Sequence, residues 1–191
     1  AFSIDEGEVL YLQGPNGSGK STLLRLMAGL LRPVSGELLW GGENTRDDPE
    51  IFRGRLHYVG HQDAVKTALT VEENLTFWAE MSGAEPEKRL VRDALKTFSL
   101  THLAALPARF LSAGQRKRLN LARICASAAP LWLLDEPANS LDTDSVVALR
   151  HAIAAHQDKG GMVAVATHEE LVSDSNILDI SEFTSSNRGA L

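Results

Sequence analysis

Cysteine and long apolar runs are scarce in this 191-residue sequence. The single Cys125 cannot form an internal disulfide, which excludes a disulfide-stapled scaffold and is typical of a reducing compartment. No apolar run approaches the roughly 20 residues that a membrane-spanning helix needs, and the start lacks the basic-then-apolar order of a signal segment. The 19 basic side chains are outnumbered by 25 acidic ones, a net charge of −6 that argues against nucleic acid as a partner. We expect a cytosolic protein that contacts membranes only through a partner.

What is present is a large share of hydrophobic residues, 43%, arranged as short strands that alternate with helical segments. The pattern predicts strands over 8–13, 37–40, 56–60, 131–134 and 162–166, and helices over 22–31, 70–81, 85–98, 112–128 and 145–156. This alternation predicts an α/β fold with a parallel sheet covered on both faces. The segments 1–61 and 130–180 would form its core, 62–129 an inserted helical subdomain, and 181–191 a poorly ordered tail.

A glycine-rich turn follows the first predicted strand, and its sequence fits the phosphate-binding pattern G-x-x-x-x-G-K-[ST]. Glycines let backbone N–H groups wrap around a pyrophosphate, and the helix that follows adds partial positive charge. We predict that Lys20 neutralises the β- and γ-phosphates of ATP and that the Ser21 hydroxyl coordinates Mg²⁺. The alternative is a plain glycine turn with a solvated lysine, which the flanking strand and helix disfavour. The predicted nucleotide-binding residues of this turn are Gly14, Pro15, Asn16, Gly17, Ser18, Gly19, Lys20, Ser21 and Thr22.

Two adjacent carboxylates end the apolar strand at 131–134. In open α/β sheets ligands bind at the carboxyl edge, so Asp135 is predicted to hold the metal. Glu136 suits the role of general base that polarises the attacking water. An Asp-Glu pair after a strand is, by itself, more often a helix-start signal, but the phosphate-binding turn upstream favours the catalytic interpretation.

The segment 111–115, Leu-Ser-Ala-Gly-Gln, opens a predicted helix and resembles the LSGGQ signature of ABC ATPases. A helix N-terminus with small residues can bind an anion, although a simply capped helix fits the same letters. The resemblance implies that Ser112, Ala113, Gly114 and Gln115 face the γ-phosphate held by another copy of the chain. Ala113 replaces the usual glycine, a small change that keeps phosphate approach open.

Further matches to the same family follow in its order and spacing. Gln62 resembles the Q-loop glutamine, which contacts Mg²⁺ and the attacking water, and the segment 139–142, ending in Asp142, resembles the D-loop. His168 resembles the switch histidine that contacts the γ-phosphate. The resemblance to ABC nucleotide-binding domains covers nearly the whole chain. It implies a P-loop NTPase that hydrolyses ATP with Mg²⁺. Two copies of the chain would form a head-to-tail dimer with Mg·ATP between the phosphate-binding turn of one copy and the signature of the other.

A finer resemblance is to the CcmA family, the ATPase subunits of the bacterial haem exporter, or cytochrome c maturation complex. It is carried by the stretches 56–77, 111–118 and 130–137. It implies an integral membrane permease partner of the CcmB or CcmC type and a peripheral location on the cytoplasmic face of the inner membrane. The alternatives are the ATPase of another ABC exporter, a soluble ABC ATPase of DNA repair or translation, and a non-hydrolysing subunit. A P-loop kinase or GTPase would lack the 111–115 segment.

In this family an aromatic residue that stacks on adenine normally lies on a strand well before the phosphate-binding turn. Only residues 1–13 precede Gly14 here. We therefore expect that strand to be missing and the numbering to begin inside the natural protein. The remaining conspicuous residues, His57 and Cys125 among them, are interpreted as structural.

Overall fold

The computed structural model describes residues 1–82, 87–169, 171–172 and 175–184. Its strands in chain order are β1 (Val9–Gln13), β2 (Leu39–Trp40), β3 (Glu43–Asn44), β4 (Leu56–Val59), β5 (Leu131–Asp135), β6 (Met162–Ala166) and β7 (Asn176–Asp179). Five of them form one sheet in the order β4-β5-β6-β1-β7, with every neighbouring pair parallel. Strands β2 and β3 form a separate antiparallel pair. The predicted α/β fold with a parallel core sheet is confirmed.

The helices are α1 (Lys20–Met27), α2 (Pro49–Arg53), α3 (Val71–Met81), α4 (Lys88–Thr97), α5 (Ala113–Ala126), α6 (Thr143–Gln157) and α7 (Ser181–Thr184). Short 3-10 turns cover Thr101–Leu103 and Ala108–Phe110. Between β4 and β5 the described residues hold α3, α4, α5 and these turns, and no strand beyond one isolated bridge between Thr70 and Pro107. No helix in the described ranges has the length and apolarity that crossing a bilayer would take.

The sheet is buried on both faces, as its near-continuous apolar strands require. On one face Leu24 and Met27 of α1 pack among side chains of β1, β5 and β6. On the other face Trp132 and Leu134 of β5 belong to a larger cluster with helices α3 to α6. The sheet therefore packs between α1 on one face and helices α3 to α6 on the other.

Strand β3 and helix α2 were not predicted, and two further details near the end of the described chain differ from the sequence-based expectation. Strand β7 was not predicted, because Asn176 and Ile177 on this edge strand are exposed and the segment shows no apolar alternation. The chain also remains ordered past Ser181, where α7 begins. Asp179 stabilises that helix start, since its Oδ1 accepts hydrogen bonds from the backbone N–H of Ser181 (2.8 Å) and from its hydroxyl (2.6 Å). Residues 185–191 of the predicted tail lie outside the described residues.

Candidate nucleotide site

The glycine-rich turn joins the end of β1 to the start of α1. Gly14 has a φ of +139°, a backbone conformation that residues with a side chain rarely adopt, and a Cβ at this position would lie 2.7 Å from the Ser18 hydroxyl oxygen. The buried Lys20 turns back over the loop, where its Nζ donates to the carbonyl oxygens of Gly14 (2.7 Å) and Pro15 (3.2 Å). The ammonium group is thus fixed at the mouth of the turn, as a phosphate-binding lysine must be.

Ser21 and Asp135 meet although 114 positions separate them along the chain. The Ser21 Oγ donates to Asp135 Oδ1 at 2.9 Å, and Asp135 is only 2% exposed. Its Oδ2 is buried and has no hydrogen-bond partner among the described residues. A buried carboxylate oxygen without a partner is unfavourable, so this atom fits a site that takes a cation.

The donor set at this point also limits the type of cation. In the described ranges no three His, Cys, Asp or Glu side chains cluster in a way that could hold a metal ion. Mg²⁺ is suited to such a site, because it binds through one or two protein oxygens and completes its shell with water and phosphate oxygens. Ser21 and Asp135 therefore fit the predicted Mg²⁺ site in chemistry and position.

Glu136 directly follows β5 and has a left-handed φ of +50°. Non-glycine residues rarely adopt this conformation, and here the backbone N–H of Glu136 is held by the carbonyl of Ala166 at 2.8 Å. Its Oε1 lies 3.8 Å from Nε2 of His168, which follows β6. The His168 side chain is 63% exposed and that of Glu136 24%. The parallel pairing of β5 and β6 thus brings the predicted base and the predicted switch histidine to the same edge of the sheet.

Gln62 lies in an exposed bend just after β4, the strand that pairs with β5. Within the part of the chain that the structure describes, no hydrogen bond holds its side chain. The backbone two residues later is held firmly, because the N–H of Ala64 donates to Asn120 Oδ1 (3.2 Å) and its carbonyl accepts from Trp78 Nε1 (3.1 Å). Gln62 therefore has a free side chain on a backbone anchored to α3 and α5.

Arg123 reinforces this anchor. Its guanidinium lies 4.6 Å from the Trp78 ring centroid and donates a hydrogen bond to the carbonyl of Tyr58 on β4. Burial lowers the pKa of Arg123 to about 10, which leaves it cationic at neutral pH. Helix α5 thus contacts the chain on both sides of Gln62, at Tyr58 of β4 through Arg123 and at Ala64 through Asn120.

The predicted signature lies at the other end of α5. Ser112 is the N-cap, its Oγ accepting from the N–H of Gln115 (3.2 Å) and its N–H donating to Gln115 Oε1 (2.8 Å), a capping box. Ser112, Ala113 and Gly114 are exposed. Among the described residues no hydrogen bond or ion pair connects this segment with the glycine-rich turn. The structure does not bring the predicted signature to the phosphate site of the same chain.

Asp142, in the predicted D-loop, caps the N-terminus of α6. Its Oδ1 accepts from the N–H of Ser145 at 2.8 Å, and hydrogen bonding by Ser145, through its hydroxyl and its N–H, lowers the pKa of Asp142. Ser140, earlier in the same turn, has a φ of +63°. Asp142 is therefore placed as a helix cap, with no direct contact to the phosphate-binding turn among the described residues.

The structure thus gathers Lys20, Ser21, Asp135, Glu136 and His168 at one edge of the sheet. Sequence reasoning missed the residues that hold this edge in place, chiefly Tyr11, Trp78 and Asn120. Their signal was present, since each is a polar or partly polar residue with apolar neighbours in the chain: Tyr11 lies between Leu10 and Leu12, Trp78 between Phe77 and Ala79, and Asn120 between Leu119 and Leu121. Such residues are buried only with hydrogen-bond partners, but the sequence cannot name the partners.

Comparison with known proteins adds an independent finding. Residues 1–139 match the ABC transporter family. The chain is 53% identical over 171 residues to the cytochrome c biogenesis ATP-binding export protein CcmA of Rhodospirillum rubrum, covering 90% of this chain and 72% of that protein. It is 51% identical to the protein of the same name from Paramagnetospirillum magneticum, covering 89% and 79%.

A solved structure of similar fold is the dimeric post-hydrolysis state of an ATP-binding cassette bound to ADP and Pi. The TM-score is 0.75 at 30% identity, and the match covers 88% of this chain and 78% of that one. That protein carries a hydrolysed nucleotide in a dimer. This chain is therefore similar in fold to a protein whose structure contains ADP and phosphate, the products of ATP hydrolysis.

Proposed function

Because the chain belongs to the ABC transporter family, we propose that it powers haem export during c-type cytochrome maturation. Its biochemical activity is that of an ABC-type ATPase, which binds ATP and hydrolyses it to ADP and phosphate. The haem-export assignment is supported by the relatives that carry the CcmA name, at 53% and 51% identity over about nine-tenths of this chain. That haem is the transported group is part of this proposal.

The observation that carries the ATPase chemistry is the pair Ser21–Asp135 with the orphaned Oδ2 of Asp135. We assign Ser21 and Asp135 to the holding of Mg²⁺, and we propose that Gln62, exposed in the bend after β4, also contacts the ion. When bound, Mg²⁺ offsets the negative charge of the phosphates. Lys20 supplies a second positive charge from the loop itself, since its Nζ already points at the turn carbonyls.

Hydrolysis needs a base next to the attacking water. Glu136 is placed for it, because its strained backbone projects the side chain beyond β5 and its carboxylate is only partly exposed. The water oxygen attacks the γ-phosphorus, one water proton passes to a Glu136 carboxylate oxygen, and the bond to the β–γ bridging oxygen breaks to release ADP. His168, 3.8 Å from Glu136, is assigned to contact the γ-phosphate. In this scheme Glu136 accepts the proton and His168 orients the group being attacked.

In this proposal a second copy of the chain completes the site. Ser112, Ala113, Gly114 and Gln115 are turned to solvent or to their own helix start, and Asp142 lies in a neighbouring exposed turn. We propose that these residues meet the nucleotide held by the other protomer, with ATP closing the dimer and hydrolysis reopening it. The segment 62–129 would then move as a helical subdomain against a core of 1–61 and 130–180.

A closing dimer needs a membrane protein to move. We propose an integral permease of the CcmB or CcmC type as that partner, contacted near Gln62 over about residues 64–75, and a peripheral position on the cytoplasmic face of the bacterial inner membrane. The anchored bend after Gln62 supports this surface, because its backbone is held by α3 and α5 and must follow them. ATP-driven motion of the helices would reach the partner there.

The proposal is tested in cells by replacing Lys20 with alanine and measuring mature c-type cytochromes by haem staining. We expect the protein level to be unchanged and the cytochromes to be lost. Lys88→Ala, an exposed lysine on α4, is the matched control and should leave them intact. Normal cytochromes with the Lys20 variant, alongside lost ATPase activity of the purified variant, would keep the ATPase and redirect the search to another ABC exporter.

A further inference from the structure

Tyr11 is the one side chain with a hydroxyl in the buried part of β1, where its neighbours are Leu10 and Leu12. It is 5% exposed. Its hydroxyl oxygen accepts two hydrogen bonds from consecutive backbone N–H groups, those of Leu171 (2.5 Å) and Val172 (2.9 Å). A hydroxyl oxygen has two lone pairs, so both acceptor positions of Tyr11 are used by one short stretch of backbone.

The position of Tyr11 connects two parts of the nucleotide site. Along β1 it lies three residues before Gly14, and across the sheet it is paired with Val165 of β6. Leu171 lies three residues after His168 and is 3% exposed. The hydroxyl therefore holds Leu171 and Val172, three and four residues after His168, to the same strand that leads into the phosphate-binding turn.

The stretch after β6 needs such an acceptor. Backbone N–H groups buried away from water cost free energy unless they are paired, and Leu171 and Val172 lie between β6 and β7, outside both sheet ladders. Thr167 contributes one more local bond, its Oγ1 accepting from the N–H of Glu169 at 3.1 Å. Without the Tyr11 oxygen, two adjacent donors would have to find water, and the backbone that carries His168 would shift.

We propose that Tyr11 is a positioning residue for His168, setting its distance from Glu136 and from the γ-phosphate through the backbone of Leu171 and Val172. This rests on the proposed role of His168. Tyr11 is 5% exposed within β1. In this proposal its loss therefore acts on the rate of the chemical step and not on nucleotide binding.

The test is Tyr11→Phe in the full-length protein, which removes the acceptor and keeps the ring. We expect kcat for Mg·ATP hydrolysis to fall about ten-fold, because a displacement of about 1 Å in a catalytic group costs up to about 10²-fold. The KM for ATP should stay within about two-fold. In a His168→Ala background, the same change should alter kcat by less than about two-fold, because residues that act through one another are not additive.

Val9→Ala is the control for stability alone. Val9 lies on the same strand and face as Tyr11 and is 1% exposed, so its truncation weakens the same cluster without touching the Leu171 backbone. It should keep kcat while lowering the melting temperature. A wild-type kcat for Tyr11→Phe, or an equal loss with and without His168, would overturn the inference. Unchanged hydrolysis in His168→Ala itself would remove the proposed role of that histidine, a separate result.

Discussion

The phosphate-binding turn and the signature segment are both helix N-termini, yet the structure treats them differently. At the start of α1, Lys20 is buried and the half-buried Ser21 donates to the buried Asp135 at the end of β5, whose other carboxylate oxygen has no partner among the described residues. At the start of α5, Ser112 and Gln115 satisfy each other and the segment is exposed. One end is prepared for a ligand inside the chain, while the other is stable alone and turned outward.

The difference shows how the two halves of a shared site can be built. The phosphate-binding turn and Asp135 hold buried polar groups that ATP and a cation would pair. We therefore expect this part of the site to bind nucleotide without a second copy of the chain. In the signature segment 112–115 no buried side-chain atom lacks a partner among the described residues, so this segment gains contacts only when another surface meets it. Nucleotide binding should therefore depend on the first half, and dimer closure with hydrolysis on both.

The largest expected effect concerns the base. Glu136→Gln should slow hydrolysis by about 10²- to 10⁴-fold, since a positioned general base contributes that much. ATP binding should persist, so the variant should accumulate as an ATP-bound dimer, seen by size-exclusion chromatography with light scattering. Glu169→Gln, an exposed neighbour of His168, is the control and should turn over normally. Wild-type turnover in Glu136→Gln would remove this residue from the mechanism.

A smaller effect is expected at the loop cation. Lys20→Ala should weaken ATP binding by about 2 kcal/mol, or roughly 30-fold, because a charge-assisted hydrogen bond to phosphate is lost. Calorimetric titration measures this directly. Lys88→Ala should bind as the unchanged protein does. If both variants bind ATP equally well, nucleotide binding does not depend on the phosphate-binding turn as the comparison requires.

Acid should destabilise the C-terminal end of α5 more than the phosphate-binding turn at the start of α1. His57 Nε2 lies 3.1 Å from the carbonyl oxygen of Ser127, the C-cap of α5, and burial lowers the pKa of His57 to about 4. An unfolded histidine has a pKa near 6.5, so the unfolded chain binds more protons as the pH falls from about 6.5 to 4, and stability is lost in that window. We expect a loss of about 2 kcal/mol in the free energy of unfolding, allowing for partial exposure of the ring.

Urea unfolding at pH 7.0 and 4.5 measures the acid effect. His57→Gln should remove most of the difference, whereas His102→Gln, on an exposed 3-10 turn, should retain it. Hydrogen exchange should show the end of α5 opening before the phosphate-binding turn. An acid loss of the same size in His57→Gln would assign the effect to other groups.

The smallest effect tests the signature itself. Ser112→Ala and Thr70→Ala each delete the cap of a capping box, on α5 and α3, and each should cost about 1 kcal/mol of stability by chemical denaturation. Only Ser112→Ala should also lower ATPase activity and dimer formation, because in the proposed dimer that cap faces the other copy and the cap at Thr70 does not. Equal activity in the two variants would mean that Ser112 acts as a helix cap alone.

Much of the fold was readable because local chemistry decides it. The capping boxes at Thr70–Glu73 and Ser112–Gln115 mark true helix starts, and the apolar runs of β1, β5 and β6 form the buried strands expected of them. Edge strand β7 and the helix start at Ser181 were missed, since their stability comes from pairing with β1 and from Asp179. The site residues of the sequence motifs stay predictions in their catalytic roles.

The sequence by itself determined the chemical inventory: a turn with glycine at its three positive-φ positions, 14, 17 and 19, a lysine, a hydroxyl and two carboxylates in a fixed order. Those features are local, because each residue type decides its own backbone preference and charge. Only the tertiary structure decided which groups meet. Parallel pairing brought Ser21 to Asp135 and Glu136 to within 3.8 Å of His168, and it set Tyr11 against the backbone after His168. Such contacts join residues more than 30 positions apart, and burial of the whole sheet, not any single stretch of chain, supplies the free energy that holds them.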